Sequence, residues 1–250
     1  MKELSYMRGN VEAICARIDA AVERSAARFG ERKITLLAAI KYTDVEHVNY
    51  LHRTLGVHDV GENRVQQLLE RWDLLDREGM RIHFIGKLQK NKVKYIIDKV
   101  CMIHSLDSLS LAKEIERQAA RHGIVMDVLA EVNIGRESEK SGLMPEELAD
   151  FCLQLSAFPH PKLRGFMTMA PKCQKNEEYR KYFQETFQLC LDIWRKKLYN
   201  IDEPILSMGM SGSFEPAIEE GATVVRIGSA LFAEPTENTE VETARENENA

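Results

Sequence analysis

Two hydrophobic rhythms divide the chain. Residues 3–29 repeat apolar positions at helical spacing, with Leu4, Met7, Val11, Ile14, Ile18, Val22 and Phe29 along one stripe and Gly30 as the stop. Beyond that helix, short apolar runs alternate with helical patterns. The runs at 34–41, 57–60, 81–85, 100–104, 126–133, 162–168, 204–207 and 223–227 predict strands buried on both faces, as in a parallel sheet covered by helices. The stretches 44–54, 62–77, 89–98, 108–121, 145–156, 177–198 and 213–219 predict helices between them. Asp44 is placed to cap the first of these, and Pro145 with Glu146 and Glu147 suits a first turn.

Eight strands alternating with helices predict the α/β class and a single (β/α)8 TIM barrel over residues 1–233, preceded by an N-terminal helix. An open doubly wound sheet is the alternative. It calls for a glycine-rich turn directly after the first strand, and Lys41-Tyr42-Thr43-Asp44 contains no glycine. Residues 234–250 are rich in Glu, Asn and Thr with almost no large apolar side chain, which predicts a disordered acidic C-terminal tail.

Composition adds little beyond a soluble globular class: 44% hydrophobic and 29% charged residues over 250 positions. The net charge of −5 is local, because residues 234–250 hold six glutamates and one arginine. The remainder is formally neutral, so bulk charge selects neither a nucleic acid nor a membrane as partner. The five cysteines form no CxxC pair and no cluster with histidine at metal-ligand spacing, which suits reduced thiols in a cytosolic protein without a metal site. Charges at Lys2, Glu3 and Arg8 interrupt any signal-peptide core, and no run approaches the roughly twenty apolar residues of a membrane span. A cytoplasmic monomer is therefore expected.

In a barrel, chemistry collects where strands end and their following loops begin. Lys41 closes the first apolar run, on the same face as Thr35, Leu37 and Ala39. A lysine partly stripped of water there gains nucleophilic character suited to a Schiff base; one that snorkels to solvent does not. The seventh strand runs into Ser207-Met208-Gly209-Met210-Ser211-Gly212-Ser213, and the eighth ends in Arg226-Ile227-Gly228-Ser229. Small residues with free N–H groups after strands seven and eight suit a phosphate. Arg226 falls within an apolar run, so an inward guanidinium requires specific acceptors. Lysine, phosphate cup and arginine together describe a pyridoxal 5′-phosphate site. His83 and His104 read as hydrogen-bonded strand histidines, and Lys87, Lys90, Lys92, Lys94 and Lys99 as a solvated helix face.

These motifs recur in order in one family. They are Lys41 after its strand, Gly-Glu-Asn-Arg-Val-Gln at 61–66, His-Phe-Ile-Gly-Lys-Leu-Gln-Lys-Asn-Lys at 83–92 and His-Ser-Leu-Asp at 104–107. Val-Asn-Ile at 132–134, Lys-Ser-Gly at 140–142, Ser-Met-Gly-Met-Ser at 207–211 and Val-Arg-Ile-Gly at 225–228 follow. The chain resembles the pyridoxal phosphate homeostasis protein family, also called the proline synthase co-transcribed family, over roughly residues 5–233. The resemblance implies a barrel like the N-terminal domain of alanine racemase and an aldimine on Lys41. It also implies a place in vitamin B6 homeostasis without established catalysis. It puts Asn63 near the cofactor, Ser207, Met208, Ser211, Gly228 and Ser229 around the phosphate, and Arg226 at the pyridine nitrogen. Two departures stand out: Gly212-Ser213-Phe214 replaces a usually acidic stretch, and Ser229 a common threonine.

Three functions are then in contention: a cofactor carrier or buffer serving recipient apoenzymes, an amino-acid racemase, and a cofactor-free Schiff-base lyase. The lyase leaves the phosphate cup unexplained. The racemase needs a second base, which the resembling racemases take from a further β domain that is not seen in these residues. Arginine facing the ring nitrogen keeps its proton and weakens the ring as an electron sink. The carrier is the expectation.

Overall fold

In the computed structural model, residues 4–195 and 204–234 are described. Helix α1 (Tyr6–Phe29) comes first, burying Met7, Val11, Ile14 and Ile18 of its predicted stripe, and Ala21 beside them. It ends at Gly30, whose N–H bonds to the Ala26 carbonyl. The strands are β1 (Thr35–Ala39), β2 (Asp59–Glu62), β3 (Arg81–Phe84), β4 (Met102–Leu106), β5 (Met126–Val132), β6 (Pro161–Thr168), β7 (Ile205–Ser207) and β8 (Val224–Ile227). Each overlaps one predicted run, and all eight close in chain order into a parallel barrel. Closure is made by β1 against β8, with Leu37 opposite Arg226 and Ala38 opposite Ile227. The (β/α)8 expectation holds, and the doubly wound alternative falls with the closed ring.

Between the strands lie α2 (Val45–Leu55), α3 (Val65–Arg71), α4 (Leu109–His122), α5 (Leu148–Leu155), α6 (Asn176–Arg195) and α7 (Phe214–Glu219), with α8 (Ser229–Phe232) after β8. Asp44 caps α2 as predicted, accepting from the His47 N–H at 3.0 Å. Three predicted helices change. The stretch 62–77 gives only α3, because Glu62 belongs to β2 and its carboxylate receives the N–H groups of Asn63 and Arg64. The stretch 89–98 gives a 3-10 turn at Lys90–Tyr95, with the Lys92 N–H bonded to the Gln89 carbonyl. Pro145 opens a 3-10 turn before α5 rather than α5 itself. The predicted tail lies outside the described residues from 235 onward.

Strand alternation separates two packing regions. Ala38, Ile40, Val60, Phe84, Ile103, Val128, Phe166 and Ile227 join the helices in the large core around the barrel. Leu37, Ile85 and Val224, with Ala39 and Ile205, fill one part of the lumen, and Met102, Leu129 and Met167 fill another. A side chain at position 61 would enter the lumen, since a Cβ there would sit 2.3 Å from Leu37 Cδ2. The same inward parity carries polar groups: Asp59, His83, His104, Glu131, Ser207 and Arg226 are all buried. Polar groups inside a barrel are tolerated only when each finds a partner, and those partners lead to the mouth.

Candidate cofactor site

The C-terminal mouth holds a cleft of about 570 Å³ bordered by Lys41, Ser211, Arg226, Gly228 and Ser229, with Tyr42 and Met210 at its rim. Lys41 follows β1 and stands exposed, its Nζ 4.7 Å from the centre of the Tyr42 ring. The expected desolvation of this lysine is therefore not met: β1 ends at Ala39, and Lys41 projects from the turn beyond it. Its backbone is fixed from the neighbouring unit, where Gln67 Nε2 donates to the Lys41 carbonyl at 2.9 Å.

The loop after β7 is shaped by Gly209. Its φ of 92° is left-handed, and a Cβ there would lie 2.6 Å from the Ala217 Cβ. The next turn is closed reciprocally, the Met210 N–H donating to Ser213 Oγ at 3.2 Å and the Ser213 N–H to the Met210 carbonyl at 2.8 Å. This brings the Ser211 hydroxyl to 3.2 Å from that of Ser229, at the first residue of α8. Two hydroxyls beside a turn whose first N–H groups precede any intrahelical bond can donate together to an anion.

Arg226 points inward from β8 and is almost wholly buried. The acceptors that its position demands are present. Nη1 donates to the Ser207 carbonyl at 2.6 Å and to Ser207 Oγ at 2.8 Å, and Nη2 donates to the Thr168 carbonyl at 2.9 Å. Burial pushes this guanidinium down to about 10, with nearby Glu131 acting against the shift. Arg226 thus remains a cation at neutral pH. Glu131 is buried as well, which raises its carboxyl, while Ser141 Oγ donates to it at 3.0 Å.

Of the eight site residues expected from sequence, Lys41, Ser211, Arg226, Gly228 and Ser229 border one cleft. The other three do not border it. Ser207 is fully buried and spends its hydroxyl on Arg226 and His104. Met208 turns to the outer core, so only its backbone can face a ligand. Asn63 is half-buried at the end of β2, and its Oδ1 is buried without a hydrogen-bond partner. The backbone packs tightly there, since a Cβ on Gly86 would lie 2.1 Å from the Asn63 carbonyl oxygen. Sequence reasoning did not find the rim residues Tyr42, Met210 and Phe232. A tyrosine directly after the lysine was the available signal for the first. No group of three or more metal-binding side chains occurs among the described residues.

An exposed amine, a buried cation, paired hydroxyls and an orphaned amide oxygen in one barrel mouth fit an aldehyde-bearing phosphorylated ring. The family model for the N-terminal domain of alanine racemase matches residues 10–235. The pyridoxal phosphate homeostasis protein of Aquifex aeolicus is 43% identical over 221 residues, covering 88% of this chain and 95% of that protein. Its counterpart in Helicobacter pylori strain 26695 is 33% identical over 232 residues, covering 91% of this chain and 98% of that protein. Among solved structures, PipY of Synechococcus elongatus with PLP bound superposes with a TM-score of 0.71 at 28% identity, covering 85% of this chain and all of that one. Alanine racemase of Clostridium difficile shares the fold, with a TM-score of 0.70 at 18% identity over 93% of this chain and 58% of that one. The chain belongs to the pyridoxal phosphate homeostasis protein family, built on the barrel of the alanine racemase N-terminal domain.

Proposed function

We propose that this protein binds pyridoxal 5′-phosphate at the barrel mouth and serves as its carrier or buffer in vitamin B6 homeostasis. The observation that carries this reading is the convergence of Lys41, Arg226 and the Ser211–Ser229 pair on one cleft. The cofactor, when bound, offers an aldehyde to an amine and a phosphate to hydrogen-bond donors. Lys41 supplies the amine, and its exposure leaves it open to an incoming aldehyde. Ser211, Ser229 and the backbone at 228–230 hold the phosphate. Arg226 presents a fixed positive charge to the ring nitrogen and transfers no proton to it, since its own proton stays in place at neutral pH. Asn63, whose Oδ1 is buried without a hydrogen-bond partner, is the further residue assigned to the neighbourhood of the ring.

The same arginine favours holding over catalysis. A ring nitrogen facing a guanidinium stays unprotonated, and such a ring is a poor electron sink. The reading extends to a monomer in the cytoplasm that delivers cofactor to recipient apoenzymes, with neither nucleic acid nor membrane as partner. No described helix is long and apolar enough to cross a membrane. Borohydride reduction of protein incubated with pyridoxal 5′-phosphate, followed by peptide mass mapping, tests the assignment. A label on Lys41 is expected; a label elsewhere, or none, overturns it.

A further inference from the structure

Behind Arg226, hydrogen bonds cross the barrel lumen from mouth to floor. Arg226 Nη1 lies 2.8 Å from Ser207 Oγ, which lies 3.0 Å from His104 Nδ1. His104 Nε2 lies 3.0 Å from His83 Nδ1, and His83 Nε2 lies 3.0 Å from Asp59 Oδ1. The imidazole rings meet edge to face at 86°, which lets an N–H of one point at a ring nitrogen of the other. Asp59 also accepts from exposed Arg81, whose Nε is 2.7 Å from Oδ1. Thus β8, β7, β4, β3 and β2 each contribute one member.

The two ends fix every proton between them. A guanidinium can only donate, and an ionised carboxylate can only accept. Burial raises the Asp59 carboxyl, but hydrogen bonds from His83 and Arg81 more than offset it, leaving it at about 2. Asp59 is therefore ionised at neutral pH, and His83 Nε2 must carry hydrogen. Burial, with His83 and Arg226 adding to it, holds His104 well below the usual histidine value, so it is neutral. With a single hydrogen on His83, at Nε2, its Nδ1 accepts from His104 Nε2–H. His104 Nδ1 then accepts from the Ser207 hydroxyl, and Ser207 Oγ accepts from Arg226.

We propose that Asp59, His83 and His104 are positioning residues for Arg226, acting through Ser207 in a one-directional chain that a second proton on His83 reverses. With that proton, His83 Nδ1–H donates to His104 Nε2, and His104 Nδ1–H donates to Ser207 Oγ. The serine then receives two donors and its own proton must leave the line, which disturbs its bond to Arg226. The charged and titratable groups around this line are Arg81 on β3, Cys101 before β4, Asp127 and Glu131 on β5 and Arg164 on β6. Among the described residues, Asp59 is the carboxylate in direct contact with His83. Arg226 borders the cleft, so the inference rests on the proposed function only for its bearing on cofactor retention.

Nitrogen NMR of the protein without cofactor tests the chain itself, whatever becomes of the cofactor reading. At neutral pH, His104 is expected as the Nε2–H tautomer with a hydrogen-bonded Nδ1. As His83 gains its second proton on acidification, His104 should switch to Nδ1–H, and the Arg226 guanidinium signals should shift with the same midpoint. His83→Phe should abolish that shift at Arg226. Should this variant not fold, the titration of the unaltered protein decides alone. An Nδ1–H tautomer for His104 at neutral pH, or Arg226 signals indifferent to the His83 titration, overturns the proposal.

Discussion

The hydroxyls of Ser211 and Ser229 meet at 3.2 Å, joining the loops that follow β7 and β8. Each can turn its proton from the other toward an anion, which suits the phosphate position proposed for the pair. A carboxylate at either position sets like charge against the phosphate. Ser229→Glu should weaken pyridoxal 5′-phosphate binding by roughly tenfold or more, equivalent to about 1.4 kcal/mol. Pyridoxal lacking the phosphate should lose much less. Titration calorimetry with both ligands measures the contrast, and equal affinities for the phosphorylated form would mean the cup is misplaced.

In the proposed function Lys41 supplies a covalent link, but it adds little packing, because it is exposed. Lys41→Ala should abolish the visible absorbance of lysine-linked cofactor and leave weaker, dialysable binding through the phosphate contacts. Its unfolding free energy should stay within about 0.5 kcal/mol of the unaltered protein, as for other surface substitutions. A denaturant titration and an absorbance spectrum together suffice.

Arg226 is the opposite case. Replacing it with Leu strands the buried Ser207 and Thr168 carbonyls, which it now satisfies at 2.6 and 2.9 Å. Each buried acceptor left unpaired costs about 1–3 kcal/mol, so Arg226→Leu should destabilise by several kcal/mol in urea. Arg226→Lys should recover only part of the loss, because an ammonium lacks the planar fork.

Acid stability should report Asp59. Its folded value of about 2 lies below the ordinary 3.8, so the stabilisation it brings is present above about pH 4 and lost as pH falls through 2. The shift corresponds to on the order of 2 kcal/mol. In urea titrations at pH 5 and pH 2, the unaltered protein should lose that much more than Asp59→Asn does. Identical losses in both would remove Asp59 from the acid response.

Racemisation should be absent. Purified protein loaded with cofactor should exchange the α-proton of common amino acids with deuterium far more slowly than roughly once per second, the lower end of ordinary turnover. Exchange at that rate would move the racemase reading ahead of the carrier.

The barrel was legible because a strand covered on both faces leaves an uninterrupted apolar run, and eight such runs recur between residues 34 and 227. Helix ends were less so. Glu62 looks like a helix residue, but it completes β2 and supplies acceptors to the loop that follows. In the site, Lys41 and the two small-residue loops could be read from position alone, since barrel loops gather at one end. The exposure of Lys41 could not, because it depends on β1 stopping two residues earlier. Nor could the different fates of Ser207 and Met208, adjacent residues sent to opposite faces by strand parity. His83 and His104 read correctly as hydrogen-bonded strand histidines. Their meeting with Asp59 needed the β2–β3–β4 register, which sequence spacing does not disclose.

Pairing of β1 with β8 sets Leu37 beside Arg226, so the cleft is assembled from the two ends of the folded body. During synthesis, Lys41 emerges long before Ser229, and neither half of the mouth is useful without the other. Contacts between such distant segments form late, after the costs of loop closure have been met. A ligand that bridges Lys41 and the loop at Ser229 would therefore act as a clasp on the finished ring, stabilising it in proportion to ligand concentration. Nascent or circularly opened chains would be blind to it, and occupancy of the mouth would count only molecules whose barrel has closed.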